Sequence, residues 1–157
     1  EMVSRGRRHQ EQHGLNFWEE LVETERQSGE RYLGRIGGTE WFLPFAPNRE
    51  DEVNAVVRGK SHFLELTEAD WEALSDGLSR VLRYYGAKGL SSFNFAIYSG
   101  PLRVELPYFW MGLKIVSRTS VQSMPVNDVW YSNNILIDGF VTEPPEELAL
   151  ALKPYFS

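Results

Sequence analysis

Residues 67–86 read TEADWEALSDGLSRVLRYYG. Thr67 can cap a helix, and Asp70 falls three residues on, where its side chain can reach back to the cap. Trp71, Leu74, Leu78, Val81, Leu82 and Tyr85 then recur at i, i+3, i+7, i+10, i+11 and i+14. That spacing lays one apolar stripe along a long helix. Glu68, Glu72, Asp76 and Arg83 fall on the opposite face, and Gly86 and Gly89 end the helix. A helix with a single apolar stripe buries it against another element. Trp71, Leu74, Leu78 and Leu82 are therefore expected to pack on a sheet.

The flanking sequence supplies that sheet. Downstream, Ser92 to Tyr98 alternates Phe93, Phe95 and Ile97 against Asn94 and Ala96, which is strand patterning. Gly100-Pro101 marks a turn, and Phe109 to Val116 is a second long strand candidate. Upstream, Arg31 to Ile36 and Thr39 to Phe45 flank Gly37-Gly38, a hairpin signal. Val53 to Arg58 reads as a third strand, ended by Gly59. Asn16 and Glu19 form an N-x-x-E start signal for a helix from Phe17 to about Gln27. Pro144-Pro145-Glu146-Glu147 opens a last helix. Residues 117–134 are polar and irregular, with short strand candidates at Ile135 to Ile137 and Phe140 to Val141. Strands and helices are not interleaved one by one. The order predicts an α+β fold, with an antiparallel sheet of about five or more strands and helices packed mainly on one face. Residues 1–13 are polar without a periodic apolar face, so they are expected to precede a single domain spanning 14–157.

Composition narrows the function. Apolar residues make up 42% and aromatic residues 13%, enough for a packed core. With no cysteine in 157 residues, disulfides, thiolate metal sites and cysteine nucleophiles are excluded, and a reducing, cytoplasmic compartment is expected. The net charge of −6 disfavours a broad nucleic-acid surface, and the basic cluster Arg5, Arg7, Arg8 reads as a solvated start of the chain. No apolar run reaches the roughly 18–20 residues of a membrane span, so no membrane partner is expected. No G-x-S-x-G is present, which leaves serine chemistry without support.

Several strings, taken in order, resemble the galactose-1-phosphate uridylyltransferase family of the histidine-triad-like superfamily. They are Gly29-Glu30-Arg31, Glu40-Trp41-Phe42-Leu43-Pro44-Phe45-Ala46, Lys60-Ser61-His62-Phe63 leading into Leu66-Thr67-Glu68-Ala69-Asp70, Ser92-Phe93-Asn94-Phe95, and Glu143-Pro144-Pro145-Glu146-Glu147-Leu148-Ala149. The resemblance runs from about Gly14 to Phe156 and is to the second of the family's two histidine-triad-like halves. It implies a histidine-triad-like fold. It also implies that the nucleophilic histidine belongs to the other half, while this half completes the subunit and its binding surfaces.

The departures from that pattern lie at the chemistry. A histidine-triad site sets imidazoles at alternate positions of one strand, so that they share a face. Here the aligned strand reads Phe109-Trp110-Met111-Gly112-Leu113-Lys114-Ile115, with Trp110 and Gly112 where relatives carry imidazoles. Neither can attack phosphorus. Where relatives show a C-x-x-C pair plausible for zinc, this chain has Asn16 and Glu19. No catalytic residue, metal or cofactor is therefore expected. His9 and His13 lie at i, i+4 without an obvious third ligand, and His62 reads as a loop or capping side chain. Asn94, Tyr98, Lys114 and Arg118, with His62, are the candidate substrate-binding residues; Ser117, Asn127 and Asn133 belong to the same polar group. If Asn94 and Tyr98 share a face with Lys114 they frame a cleft, in which Lys114 and Arg118 could hold a phosphate. The ligand class implied is a phosphorylated sugar or nucleotide. The expected partner is a second copy or a missing N-terminal half. Two readings stand: a catalytically degenerate assembly or ligand-binding half, and a sugar-1-phosphate nucleotidyltransferase whose nucleophile lies outside this chain.

Overall fold

The computed structural model describes residues 1–118 and 141–157. In chain order these form α1 (Met2–His13), α2 (Phe17–Ser28), β1 (Tyr32–Ile36), β2 (Thr39–Phe42), β3 (Val53–Val57), a short 3-10 turn (Phe63–Glu65), α3 (Glu68–Ala87), β4 (Phe93–Tyr98), β5 (Gly112–Ser117) and α4 (Pro145–Phe156). The strands make one antiparallel sheet in the order β1-β2-β3-β5-β4. The expected α+β architecture is present. The strand candidates at Ile135 to Ile137 and Phe140 to Val141 fall almost wholly outside the described residues, as do Asn127 and Asn133.

Sequence sets most of these boundaries through caps. Thr67 Oγ1 accepts from the Asp70 N–H while the Asp70 carboxylate accepts from the Thr67 N–H, a complete capping box. Asn16 Oδ1 accepts from the Trp18 N–H at the start of α2, and Gly29 ends that helix at φ 68°.

Alternation along the strands builds two apolar layers. On one face Trp41, Ala55, Val57, Leu113 and Ile115 meet Leu74, Val81 and Tyr85 of α3 and Leu148 and Leu152 of α4. On the other face Phe42, Val56 and Trp110 meet Val22 of α2, with Trp18 and Leu21 alongside. Helices thus cover both faces, more heavily on the α3–α4 side. The α3 stripe is rotated from the one the spacing predicts. Leu74 and Val81 are buried and Leu78 and Leu82 are partly buried against the core, but Trp71 is 41% exposed. Its ring stacks on Phe63 in the loop before the helix rather than on the sheet. Gly77 faces inward in its place: a Cβ there would collide with the Trp41 ring, so the helix comes down directly on a buried indole.

Two further departures concern α1 and the start of β5. Residues 2–13 are helical and docked. The backbone of Gly6 sits against the Tyr108 carbonyl, 2.7 Å from where a Cβ would be, and Arg7 donates to the Tyr108 hydroxyl. Regular pairing of β5 begins at Gly112, three residues later than the apolar run starts.

Charged groups join the layers. Glu40, with no exposed surface, accepts hydrogen bonds from Arg26 of α2 (2.7 Å), Arg58 (3.0 Å) and the Tyr32 hydroxyl (2.6 Å). Burial pushes its carboxyl upward, and the three donors more than reverse this, so its pKa lies below the ordinary value. Burial and the neighbouring carboxylate push the Tyr32 phenol up to about 12. A second cluster surrounds Asp51. Its carboxylate accepts from Lys88 of α3 (2.6 Å) and from the Ser117 hydroxyl of β5 (2.6 Å), and Lys88 also meets Glu143 (2.6 Å) ahead of α4.

Two outcomes follow from this packing. Leu74→Ala should lower unfolding free energy by roughly 2–5 kcal/mol, and Trp71→Ala by clearly less despite its larger side chain, in urea melts of the two variants. Glu40→Gln should cost about 2–3 kcal/mol at neutral pH, since it replaces the buried charged acceptor shared by Arg26, Arg58 and Tyr32 with a neutral amide. Because the folded pKa of Glu40 is depressed, its contribution is present above the ordinary glutamate pKa and is lost as pH falls through the folded value. The variant should therefore show a shallower acid limb than the parent when unfolding is followed across that range.

Candidate functional site

Register decides which polar side chains meet. Asn54 of β3 pairs with Lys114 of β5, Ala96 of β4 pairs with Lys114, and Tyr98 pairs with Gly112. Paired residues share a face, so Asn54, Val56, Tyr98, Gly112 and Lys114 lie on the α2 side of the sheet. There they line a cleft of about 140 Å³, walled by Trp18 of α2, Trp110 and Met2 of α1. Tyr98 and Lys114 are thus brought together. Asn94 is on the same face but one step farther along β4, outside the cleft lining.

Lys114 carries no spare charge into this cleft. Its ammonium lies 2.5 Å from Oε1 of Glu52, a carboxylate almost completely buried, whose Oε2 accepts from the Asn48 N–H. Arg118, past the end of β5, is exposed, and its backbone N–H donates to the Ser92 carbonyl. Lys114 is therefore placed in the cleft that its strand position suggests, but as half of an ion pair. Two indoles, a phenol, an amide and a neutralised ammonium favour a flat, uncharged ring with a hydrogen-bonding edge over a bare phosphate.

At Gly112 no side chain fits. A Cβ there would lie 2.6 Å from the Ala55 carbonyl oxygen and 3.3 Å from Val56 Cγ1. Trp110, the other position aligned with imidazoles, is 7% exposed; its ring packs with Val22, Phe42 and Val56 and carries the Arg58 guanidinium over one face at 5.2 Å. A missing side chain and a buried indole thus stand at the two positions that the sequence resemblance aligns with imidazoles.

His62 is elsewhere and occupied. It is 4% exposed and caps the 3-10 turn, its Nδ1 accepting from the Leu64 N–H at 3.2 Å, with Nε2 3.2 Å from Glu65. Burial raises the Glu65 carboxyl, but hydrogen bonds from the Ser61 N–H and hydroxyl hold it below the ordinary value. These residues adjoin a second concavity of about 450 Å³ that shares Trp110 as a wall and is lined by Lys60, Ser61, Glu65 and Glu105. Two carboxylates against one lysine make it a poor receptor for a polyanion.

The positions corresponding to a zinc-binding pair do not fit a metal. Asn16 spends its amide on the α2 cap and on the Pro107 carbonyl, and Glu19 pairs with Arg58. Among the described residues no three His, Asp or Glu side chains converge for a metal ion, and no helix is long and apolar enough to cross a membrane. His9 meets Glu20 at 2.8 Å, and its ring lies tilted against that of His13. Sequence reasoning did not single out Asn54 and Trp18, which line the cleft, or Glu52, which pairs with Lys114. Only the pairing of β3 with β5 brings the first and last to Lys114, although the burial pattern of an isolated strand gives no sign of that pairing.

Comparison with known proteins gives this geometry its context. No family model matches the chain. An uncharacterised protein of Archaeoglobus fulgidus is 29% identical over 147 residues, covering 94% of this chain and 43% of that protein. Among solved structures, a uridylyltransferase superposes with a TM-score of 0.80 at 20% identity, over 98% of this chain and 49% of its own. An ADP-glucose phosphorylase from Arabidopsis thaliana with bound ADP-glucose gives 0.72 at 21%, over 96% of this chain and 47% of its own. A zinc-bound histidine triad family protein from Mycobacterium smegmatis gives 0.55 at 10%, over 87% and 91%. The chain spans about half the length of the relatives it matches most fully. It therefore has the histidine-triad-like fold, in the form that fold takes in one half of uridylyltransferase-type proteins.

Proposed function

We propose that this chain is a catalytically degenerate histidine-triad-like domain, the assembly or ligand-binding half of a galactose-1-phosphate uridylyltransferase-like protein. The observation that carries the reading is Gly112. A triad needs an imidazole projecting from this strand into the cleft, and here even a Cβ would strike the Ala55 carbonyl. Trp110 fills the neighbouring position with an indole, and Lys114, next along the same face, is neutralised by Glu52. His62 is turned to capping a loop. What remains is a binding surface: Trp18 and Trp110 flank Asn54 and Tyr98 in a cleft of about 140 Å³. A ring of a nucleotide or of a nucleotide sugar is the ligand class that its aromatic walls and amide edge suit.

One observation favours a second reading. The chain spans 43% of its archaeal relative and about half of the uridylyltransferase chain. A nucleophilic histidine on a separate half-domain could act on a ligand held here, which would make this the binding half of a sugar-1-phosphate nucleotidyltransferase. Turnover that appears only when a histidine-bearing half-domain is joined to this chain would select that reading.

The isolated chain should neither hydrolyse UDP-glucose or ADP-glucose nor exchange their nucleotidyl groups with galactose 1-phosphate. Product formation well above background, abolished by His62→Ala, would overturn the degenerate reading. ADP-glucose should instead quench the fluorescence of Trp18 and Trp110, and Asn54→Leu should weaken that response; an unchanged emission would leave assembly as the domain's role. Gly112→Ala should lower stability by roughly 1–3 kcal/mol through the clash with β3, measured by thermal unfolding. For the same reason Gly112→His combined with Trp110→His should yield a less stable protein without transferase activity.

A further inference from the structure

The two concavities described above offer a phosphate no receptor. In the cleft Lys114 is neutralised by Glu52, and the concavity beside it sets Glu65 and Glu105 against Lys60. A further groove, of about 420 Å³, lies between α1 and α2. Met2 and Trp18 wall both this groove and the cleft, so the two spaces adjoin. Its polar lining comes from α1. Arg5, Arg8, His9 and Gln12 recur at i, i+3, i+4 and i+7, the spacing that sets side chains on one helix face. A face packed for stability alone carries apolar residues at this spacing. No carboxylate lines the groove, in a chain whose net charge is −6. Arg8 is exposed and has no ion-pair or hydrogen-bond partner among the described residues. The Arg5 side chain meets Glu1, in an exposed pair of the kind that contributes little. The α2 wall is aromatic: the Phe17 ring stands edge-on to Trp18 at 5.3 Å and edge-on to His9 at 5.4 Å.

We propose that this groove holds the phosphates of the ligand whose ring enters the cleft, with Arg5 and Arg8 as the binding cations. The proposal rests on the ring-binding reading of the cleft and adds the charged half of the ligand. Size supports it. Small-molecule sites run from about 300 to 1,000 Å³. The cleft alone, at about 140 Å³, falls below that range, and the groove brings the pair into it. Position supports it too. Because Met2 and Trp18 belong to both linings, a ligand that crosses from one space to the other passes over residues it already touches in the cleft. Charge selects the class. A guanidinium binds phosphate oxygens through paired N–H donors, and two of them at i, i+3 on one helix face suit a diphosphate better than a single charge. Like charges so placed repel one another, and a bound polyanion relieves that repulsion. The ligand is thus a nucleoside diphosphate, with or without a further sugar, rather than a free nucleoside. The basic cluster that the sequence presents as a solvated start of the chain accordingly divides in two. Arg7 docks the helix on Tyr108, while Arg5 and Arg8 face the groove.

Calorimetric titration of the full chain with ADP and with adenosine tests this. At low salt ADP should bind roughly tenfold or more tighter than adenosine, because only ADP carries the charge that the guanidiniums meet. The gap should narrow as salt screens these exposed groups. In the Arg5→Gln/Arg8→Gln double variant the gap should close while the affinity for adenosine stays as it was. Both side chains are exposed, so far-ultraviolet circular dichroism should match the parent. Arg83→Gln removes an exposed positive charge from α3, across the sheet from the groove, and should leave the gap intact. A gap that survives the double variant overturns the inference, as does one that Arg83→Gln closes equally well, which would mark a response to net charge alone. Adenosine binding as tightly as ADP also overturns it, and leaves the ring-binding cleft standing. If neither compound binds, the ring-binding reading falls and the inference with it.

Discussion

Glu40 is a carboxylate with no exposed surface, set between Thr39 and the apolar pair Trp41-Phe42 of β2. It is tolerable there only because Arg26, Arg58 and Tyr32 converge on it from three different elements. That requirement positions α2. Arg26 brings the helix's last turn onto the sheet, and Val22 and Trp18 follow one and two turns earlier. Arg58, held by the same carboxylate, lies flat over Trp110. Both indoles of the cleft are therefore placed by the pairing of one buried charge. The cleft is a by-product of solving that pairing as much as it is a pocket in its own right.

Most of the fold was legible because it rests on short-range rules. Thr67 with Asp70, Asn16 with its following turn, and the alternation of β4 announce elements whose physics is contained within a few residues. The failures have a common cause. Helix α1 docks through the missing side chain of Gly6, hydrogen bonds from Arg7 to the Tyr108 hydroxyl and the contact of His9 with Glu20, none of which leaves an apolar period. Trp71 fits the α3 stripe on a helical wheel, but the sheet does not extend beneath the first turn, so the ring lies on Phe63. A wheel records direction and carries no information on how far the opposing layer reaches.

The site was harder to read than the fold for a related reason. Lys114 is visible in the sequence as a cation, and its strand position correctly places it beside Tyr98. Its charge state in the fold depends on Glu52, which comes near only through the pairing of β3 with β5. Electrostatic meaning belongs to pairs, and pairs between distant strands are fixed by register. By contrast, the absence of imidazoles at Trp110 and Gly112 is a property of single positions, and a sequence shows it directly.

The Asp51 cluster bears on how the chain can change over time. Ser117 at the end of β5 and Glu143 before α4 are both held there, one by the carboxylate and the other through Lys88. One carboxylate thus ties the end of β5 to the approach to α4, although the two lie far apart in sequence. A substitution at Asp51 would release both at once, so a lineage that loses this carboxylate is expected to change Ser117 and Lys88 with it.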